Sequence, residues 1–147
     1  MTDIVDKATR SRMMAGIKSK STTPEVFLRH ALHAQGFRYR LGGAGLPGKP
    51  DLVFPSRRTV VFVNGCFWHR HLCASFKWPS DNEVFWKKKL DANAARDFRN
   101  SRALHALGWR VLTVWECSLR KTKYKMPNAV VNMTARALSK NPDSKHP

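Results

Sequence analysis

Residues 65–73 read GCFWHRHLC: two cysteines and two histidines around a Phe-Trp pair. No other stretch constrains the fold as tightly. Cys66, His71 and Cys73 give the spacing C-x4-H-x-C, and the only other cysteine, Cys117, closes the apolar run WRVLTVWEC far downstream. Three Cys and one His complete a tetrahedral zinc shell with no open position, so the expected role is structural. Such a site ties the loop after one strand to the end of another. Two other readings stand beside it: buried free thiols with a solvated His71, or His69 as the nitrogen ligand. The N-terminal MTDIVDKATRSR has no apolar stretch of a secretory signal. A reducing cytoplasm is therefore expected, where cysteines serve metals more than disulfides.

Charge narrows the partner. With 27 Lys+Arg against 10 Asp+Glu, the 147-residue chain carries a formal +17. A domain this basic is expected to meet a polyanion, most often nucleic acid. An anionic membrane surface is the competing partner, but no segment stays apolar for the ~20 residues a span needs. The length suits one domain with a real core.

The chain is expected to divide into a basic arm over residues 1–22 suited to binding a polyanion such as DNA, one domain over 23–140 and a flexible tail over 141–147. TTPEVFLRHALHAQG has a helix signature: Thr22 or Thr23 as cap, Pro24 in the first turn, Gly36 as stop. Its expected buried stripe is Phe27, Leu28, Ala31 and Leu32. FRYRL, DLVF and TVVFVN read as strands separated by turn-rich segments. Ser80 to Glu83 reads as a capping box opening a long helix to about Leu107, closed by Gly108. WRVLTVWEC is expected to be a central strand, being apolar almost throughout. PNAVVNMTARALS is a last helix. The order is α-β-β-β-α-β-α.

Acids are few, so their positions count. Asp51 follows PGKP at a strand start, with a second strand after a tight turn, a layout that suits either a carboxylate holding Mg2+ against a phosphodiester or a plain turn and strand-start residue. Glu25, in the first turn of the first helix, can face the same metal or simply favour the helix dipole. His69, once His71 is given to zinc, is placed to take a proton from water. His30, His33 and His105 read as surface or packing residues. Phe67, Trp68, Phe76, Trp78, Phe85 and Trp86 crowd one short region beside many basic residues. Core burial and insertion between base steps are both open for these rings. Met14, in the basic arm, is a candidate apolar wedge or an exposed arm residue.

The stretches DKATRSRMM, LPGKPDLVF, VFVNGCFWHRHLC, the FW at 85–86 and LGWRVLTVWEC resemble the very short patch repair (Vsr) DNA mismatch endonucleases over nearly all of residues 6–119. The resemblance implies a restriction-endonuclease-like α/β fold of the PD-(D/E)xK class, a mixed central sheet flanked by helices, with a structural zinc site. It implies Mg2+-dependent nicking 5′ to the T of a T:G mismatch left by 5-methylcytosine deamination. By the same resemblance Asp51 and the Val63 carbonyl hold Mg2+, His69 is the general base and Glu25 supports the metal waters. Cys66, His71, Cys73 and Cys117 hold Zn2+. Phe67, Trp68 and Trp86 intercalate, Met14 wedges from the arm, and Lys89 and Asn93 read the mismatched pair. Asp97 stands behind the active site. The implied setting is a bacterial cytoplasm, at the nucleoid. The implied partners are double-stranded DNA with a T:G mismatch and, functionally, a DNA cytosine-5 methyltransferase and mismatch-repair proteins.

The strand after Asp51 offers Phe62-Val63-Asn64 where many nucleases of this class carry Glu-x-Lys, and Asn64 stands where the family often has His. Asn cannot donate a proton near neutral pH. Two rival functions follow: a less selective restriction-type endonuclease, and a zinc-stabilised mismatch binder with impaired catalysis. A monomer is expected, since no long apolar heptad suggests a dimer.

Overall fold

The computed structural model describes residues 22–43, 45–73, 76–119 and 127–140. The arm, with Met14, and the tail over 141–147 lie outside the described residues. The elements are α1 (Thr23–Ala34), β1 (Arg40–Leu41), β2 (Leu52–Phe54), β3 (Thr59–Asn64), α2 (Glu83–Ala106), β4 (Arg110–Trp115), α3 (Glu116–Leu119) and α4 (Pro127–Ser139), with a 3-10 turn at Pro55–Arg57. The expected order holds, with the one-turn α3 added.

The sheet order is β1-β2-β3-β4. β1, β2 and β3 are antiparallel neighbours, and β4 joins β3 in parallel. A parallel pair needs a crossover, and α2 supplies it. Side chains alternate across the strands and build two cores. Leu52, Phe54, Val61 and Val114 pack with Leu28 and Leu32 of α1 and with Val131, Ala135 and Leu138 of α4. Val53 and Val60 face the other way and pack on Leu104 of α2. The result is a helix–sheet–helix sandwich.

Helix α1 starts where expected. The Thr22 side chain accepts from the Glu25 N–H at 3.4 Å, and Gly36 ends the helix at φ 95, a conformation glycine adopts without a Cβ penalty. Its buried face differs from the expected stripe. Leu28 and Leu32 are fully buried, but Phe27 is 40% exposed, and the charged Glu25 is buried.

Two further expectations are corrected. β4 is an edge strand among the described residues, bonded only to β3. Its apolar run arises because helices cover both faces: Leu112 and Val114 turn to one core and Val111 to the other. It also ends at Trp115, so Cys117 sits in α3. The expected capping box is out of register with the helix start. Asn82 is the N-cap, in the left-handed region at φ 55, and its side chain makes no capping bond. Ser80 lies two residues outside that cap, too far out for Glu83 to reach the third helical position the motif needs.

Candidate active site and metal centre

The end of β3 carries the site. In β2 and β3, Leu52 pairs with Val61, so Asp51 and Val63 sit just past the end of their ladder. There the Asp51 Oδ2 accepts from the Val63 N–H at 2.7 Å. The N–H and C=O of one strand residue point to the same side. The Val63 carbonyl therefore also faces away from β4, on the side of Asp51. Burial pushes the Asp51 carboxyl up to about 6, against the opposing pull of the Val63 N–H. The nearby Glu25 charge raises it further and His69 lowers it. Glu25 is buried at the start of α1, with Arg29 Nη1 3.6 Å from its Oε1. Glu25 of α1 and His69 of the loop after β3 thus lie within electrostatic reach of Asp51, which stands just before β2 and is held by Val63 of β3. The oxygen donors of Asp51, Glu25 and the Val63 carbonyl are hard and suit a small divalent cation.

The loop over residues 65–73 folds back on itself. His71 N–H donates to the Cys66 carbonyl at 2.8 Å, and Arg70 turns the chain in the left-handed region at φ 51. This brings Cys66, His71 and Cys73 to Cys117, with ligand atoms all within 4.8 Å of one another. The Cys117 Sγ lies 3.7 Å from His71 Nδ1. Ligand atoms on a tetrahedral zinc with bonds of ~2.0–2.3 Å stand roughly 3.5–3.8 Å apart, so the Cys117–His71 pair already has that spacing and the donor types suit zinc. Burial pushes the Cys66 thiol up to about 12, helped by the neighbouring Cys117 and Cys73. Sulfurs so placed become thiolates readily only beside a cation. His71, not His69, joins the cluster, which resolves the choice left open by the sequence.

His69 points elsewhere: its Nδ1 meets Asp97 Oδ2 of α2 at 2.5 Å. A carboxylate on Nδ1 fixes the tautomer and leaves Nε2 outward. Trp115, at the end of β4, lies flat on the His71 ring, centroids 4.1 Å apart and planes 5° apart, and meets His69 edge-on at 6.4 Å. Nothing in the sequence singled out Trp115. It sits only two residues from Cys117, which is the one signal that could have found it.

The aromatics form a chain of ring contacts. Phe67 meets Trp68 at 5.1 Å, Trp86 at 5.4 Å and Phe76 at 6.1 Å; Trp86 also meets Trp68 and Phe85, and Phe76 meets Trp78. None belongs to either core. Phe67, Trp68, Phe76 and Trp86 are half-buried, while Trp78 and Phe85 are exposed. Lys89 is exposed on α2. Asn93 is buried and gives its Nδ2 to the Trp68 carbonyl at 3.0 Å. His30, His33 and His105 are exposed, as expected of surface residues. Among the described residues no helix is long and apolar enough to cross a membrane.

Comparison with known proteins points one way. Residues 2–75 match the family described as DNA mismatch endonuclease Vsr. The chain is 49% identical over 119 residues to the Type II nicking enzyme V.XorIIP of Xanthomonas oryzae, covering 81% of this chain and 88% of that one. It is 48% identical over 120 residues to the DNA mismatch endonuclease Vsr of Escherichia coli, covering 82% and 77% respectively. Against the Type II nicking enzyme V.NmeAIP of Neisseria meningitidis the identity is 45% over 120 residues, covering 82% and 86%.

Proposed function

Because the chain belongs to the DNA mismatch endonuclease Vsr family, we propose that it nicks duplex DNA 5′ to the T of a T:G mismatch, in a Mg2+-dependent reaction that starts very short patch repair. The chain is a DNA endonuclease; the mismatch, the strand and the metal are the parts proposed. The observation that carries the reading is the loop over residues 65–73, which bears both the half-exposed Phe67–Trp68 pair and His69, held by Asp97 within electrostatic reach of Asp51.

Asp51 and the Val63 carbonyl would hold the Mg2+, with Glu25 placed to orient its waters. When bound, the cation supplies charge stabilisation at the phosphate. His69 takes a proton from the attacking water through Nε2, while Asp97 keeps its Nδ1 side engaged. Hard donors on adjacent strands, with a base from the next loop, support a core of the PD-(D/E)xK class in which the usual Glu-x-Lys is replaced. Asn64 is buried at the end of β3 and brings hydrogen bonding but no acid.

Phe67, Trp68 and Trp86, with Met14 from the arm, are proposed to enter the base stack. Insertion costs a few kcal/mol per step, least at a weakened pair, which favours the mismatch. Lys89 stands exposed one turn from Trp86 to read the displaced pair. Asn93 reads it from beside the Trp68 carbonyl, which it already holds. Cys66, His71, Cys73 and Cys117 hold the structural Zn2+. The cytoplasmic, nucleoid-associated setting, the monomeric state and the link to a cytosine-5 methyltransferase and mismatch-repair proteins belong to the same proposal.

The test compares the wild type with Asp51→Ala on a T:G duplex in Mg2+, reading binding and nicking separately. The wild type should nick and the variant should bind without nicking. Binding by both with nicking by neither would make the protein a mismatch binder.

A further inference from the structure

Three consecutive residues of the wedge loop are each tied to α2. The Trp68 carbonyl accepts from Asn93 Nδ2 at 3.0 Å, and His69 Nδ1 meets Asp97 Oδ2 at 2.5 Å. Arg70 Nη1 donates to Asp91 Oδ1 at 2.6 Å. The nicking mechanism uses the first two ties and leaves the third without a role.

Helix geometry shows what the third adds. Asn93 and Asp97 are four residues apart, one above the other on a single face. Between the cluster residues Cys66 and His71, two anchors in one line leave the Trp68–His69 stretch able to rock about that line. Asp91 precedes Asn93 by two positions, roughly 200° round the helix at ~100° per residue. It anchors the loop off the line, and three points off one line fix a tilt. The backbone agrees: Arg70 adopts φ 51, an unfavourable region for a residue with a Cβ, at the bend that separates His69 from the zinc ligand His71.

We infer that Arg70 and Asp91 are a positioning pair for the nicking reaction: together they set the tilt of the loop that carries the Trp68 wedge and His69. The inference rests on the nicking function proposed above. Both side chains are substantially exposed, at 40% and 43%. Exposed ion pairs contribute little to global stability. Breaking this one therefore leaves the fold and the zinc site in place and its effect on rate readable.

The test uses the full chain in three forms beside the wild type: Arg70→Gln, Asp91→Ala, and the charge-swapped double variant Arg70→Asp with Asp91→Arg. Single-turnover nicking of a T:G duplex at saturating enzyme is measured, with duplex affinity, zinc content and amide exchange over residues 67–71. Each single variant should nick about fivefold more slowly, because small displacements of reacting groups are costly in rate. Its loop amides should exchange faster, with zinc retained and duplex affinity little changed. The swap should recover both rate and exchange. Single variants that match the wild type in both readouts overturn the inference. So does a swap that recovers neither, which would show Arg70 acting through its own charge on a phosphate. If the wild type itself does not nick the T:G duplex, the functional reading fails, and the exchange measurement alone decides the pair.

Discussion

The end of β3 serves two donor clusters built in opposite ways. One is sulfur-rich: Cys66, His71, Cys73 and Cys117 converge from a loop and α3, all ligand atoms within 4.8 Å. The other is oxygen-rich: Asp51, the Val63 carbonyl and Glu25, gathered from three elements, with no thiol among them. The first closes a four-ligand shell and can only hold the fold together. The second has few protein donors and leaves room for water and a phosphate. Burial makes the second cluster a liability without its cation, as the raised Asp51 shows. In the first, burial of the thiols makes the cation part of folding itself. On the function proposed above, the contrast separates a metal that would build the loop from a metal that would act beside it.

That contrast predicts effects of opposite sign. The largest belongs to the sulfur cluster. Structural zinc contributes about 10–16 kcal/mol in small domains, comparable with or above the whole stability of a domain of ~5–15 kcal/mol. Cys117→Ser, or removal of zinc by a strong chelator, should therefore unfold much of the domain, read by circular dichroism and zinc content. A variant that stays folded without zinc would break the comparison.

Asp51→Asn should do the reverse. Unfolded, Asp51 ionises near 3.8; folded, near about 6. Between those values the folded state holds the extra proton. Stability of the metal-free wild type should thus fall as pH rises through that window and stay lower above it, by ~3 kcal/mol. The Asn variant keeps an acceptor for the Val63 N–H and carries no charge. It should be more stable than the wild type at pH 7 without Mg2+ and equal to it only below the unfolded value, at about pH 3, in denaturant titrations. Mg2+ should narrow the gap at pH 7 by binding the ionised wild type. A gap independent of pH would sink the assignment.

Trp68→Ala should cost less, about 1–3 kcal/mol in duplex affinity, the usual value of one base–aromatic stack, with folding stability nearly unchanged. Phe27→Ser should do least, about 1 kcal/mol of stability, since the ring is 40% exposed and belongs to neither core. A large loss at Phe27 would mean that face is covered.

What the sequence disclosed follows from how local each signal is. TVVFVN is a strand over its full length because a β-branched run bounded by Arg-Arg and Gly has one reading. Helix α2 ends as expected because Gly108 takes the left-handed conformation, at φ 87, just past it. The convergence of Cys66, His71, Cys73 and Cys117 was legible because a rare residue type clusters. β4 was misplaced to the centre because an apolar run reports covered faces, not paired edges. The stripe containing Phe27 missed Glu25, whose burial depends on the site beyond α1. The contacts of His69 with Asp97 and His71 with Trp115 join residues 28 and 44 positions apart. Only the fold brings such pairs together. The aromatic crowd was ambiguous in sequence. In the structure it lies outside both cores, half-open, around the loop that also carries His69.

The most direct measurement is nicking of two end-labelled duplexes in Mg2+ that differ only in one pair, T:G against C:G, with cut positions mapped on both strands. The account predicts one nick, 5′ to the mismatched T on its own strand, and no comparable cleavage of the matched duplex. Equal cutting of both duplexes, or cleavage of both strands, would contradict it.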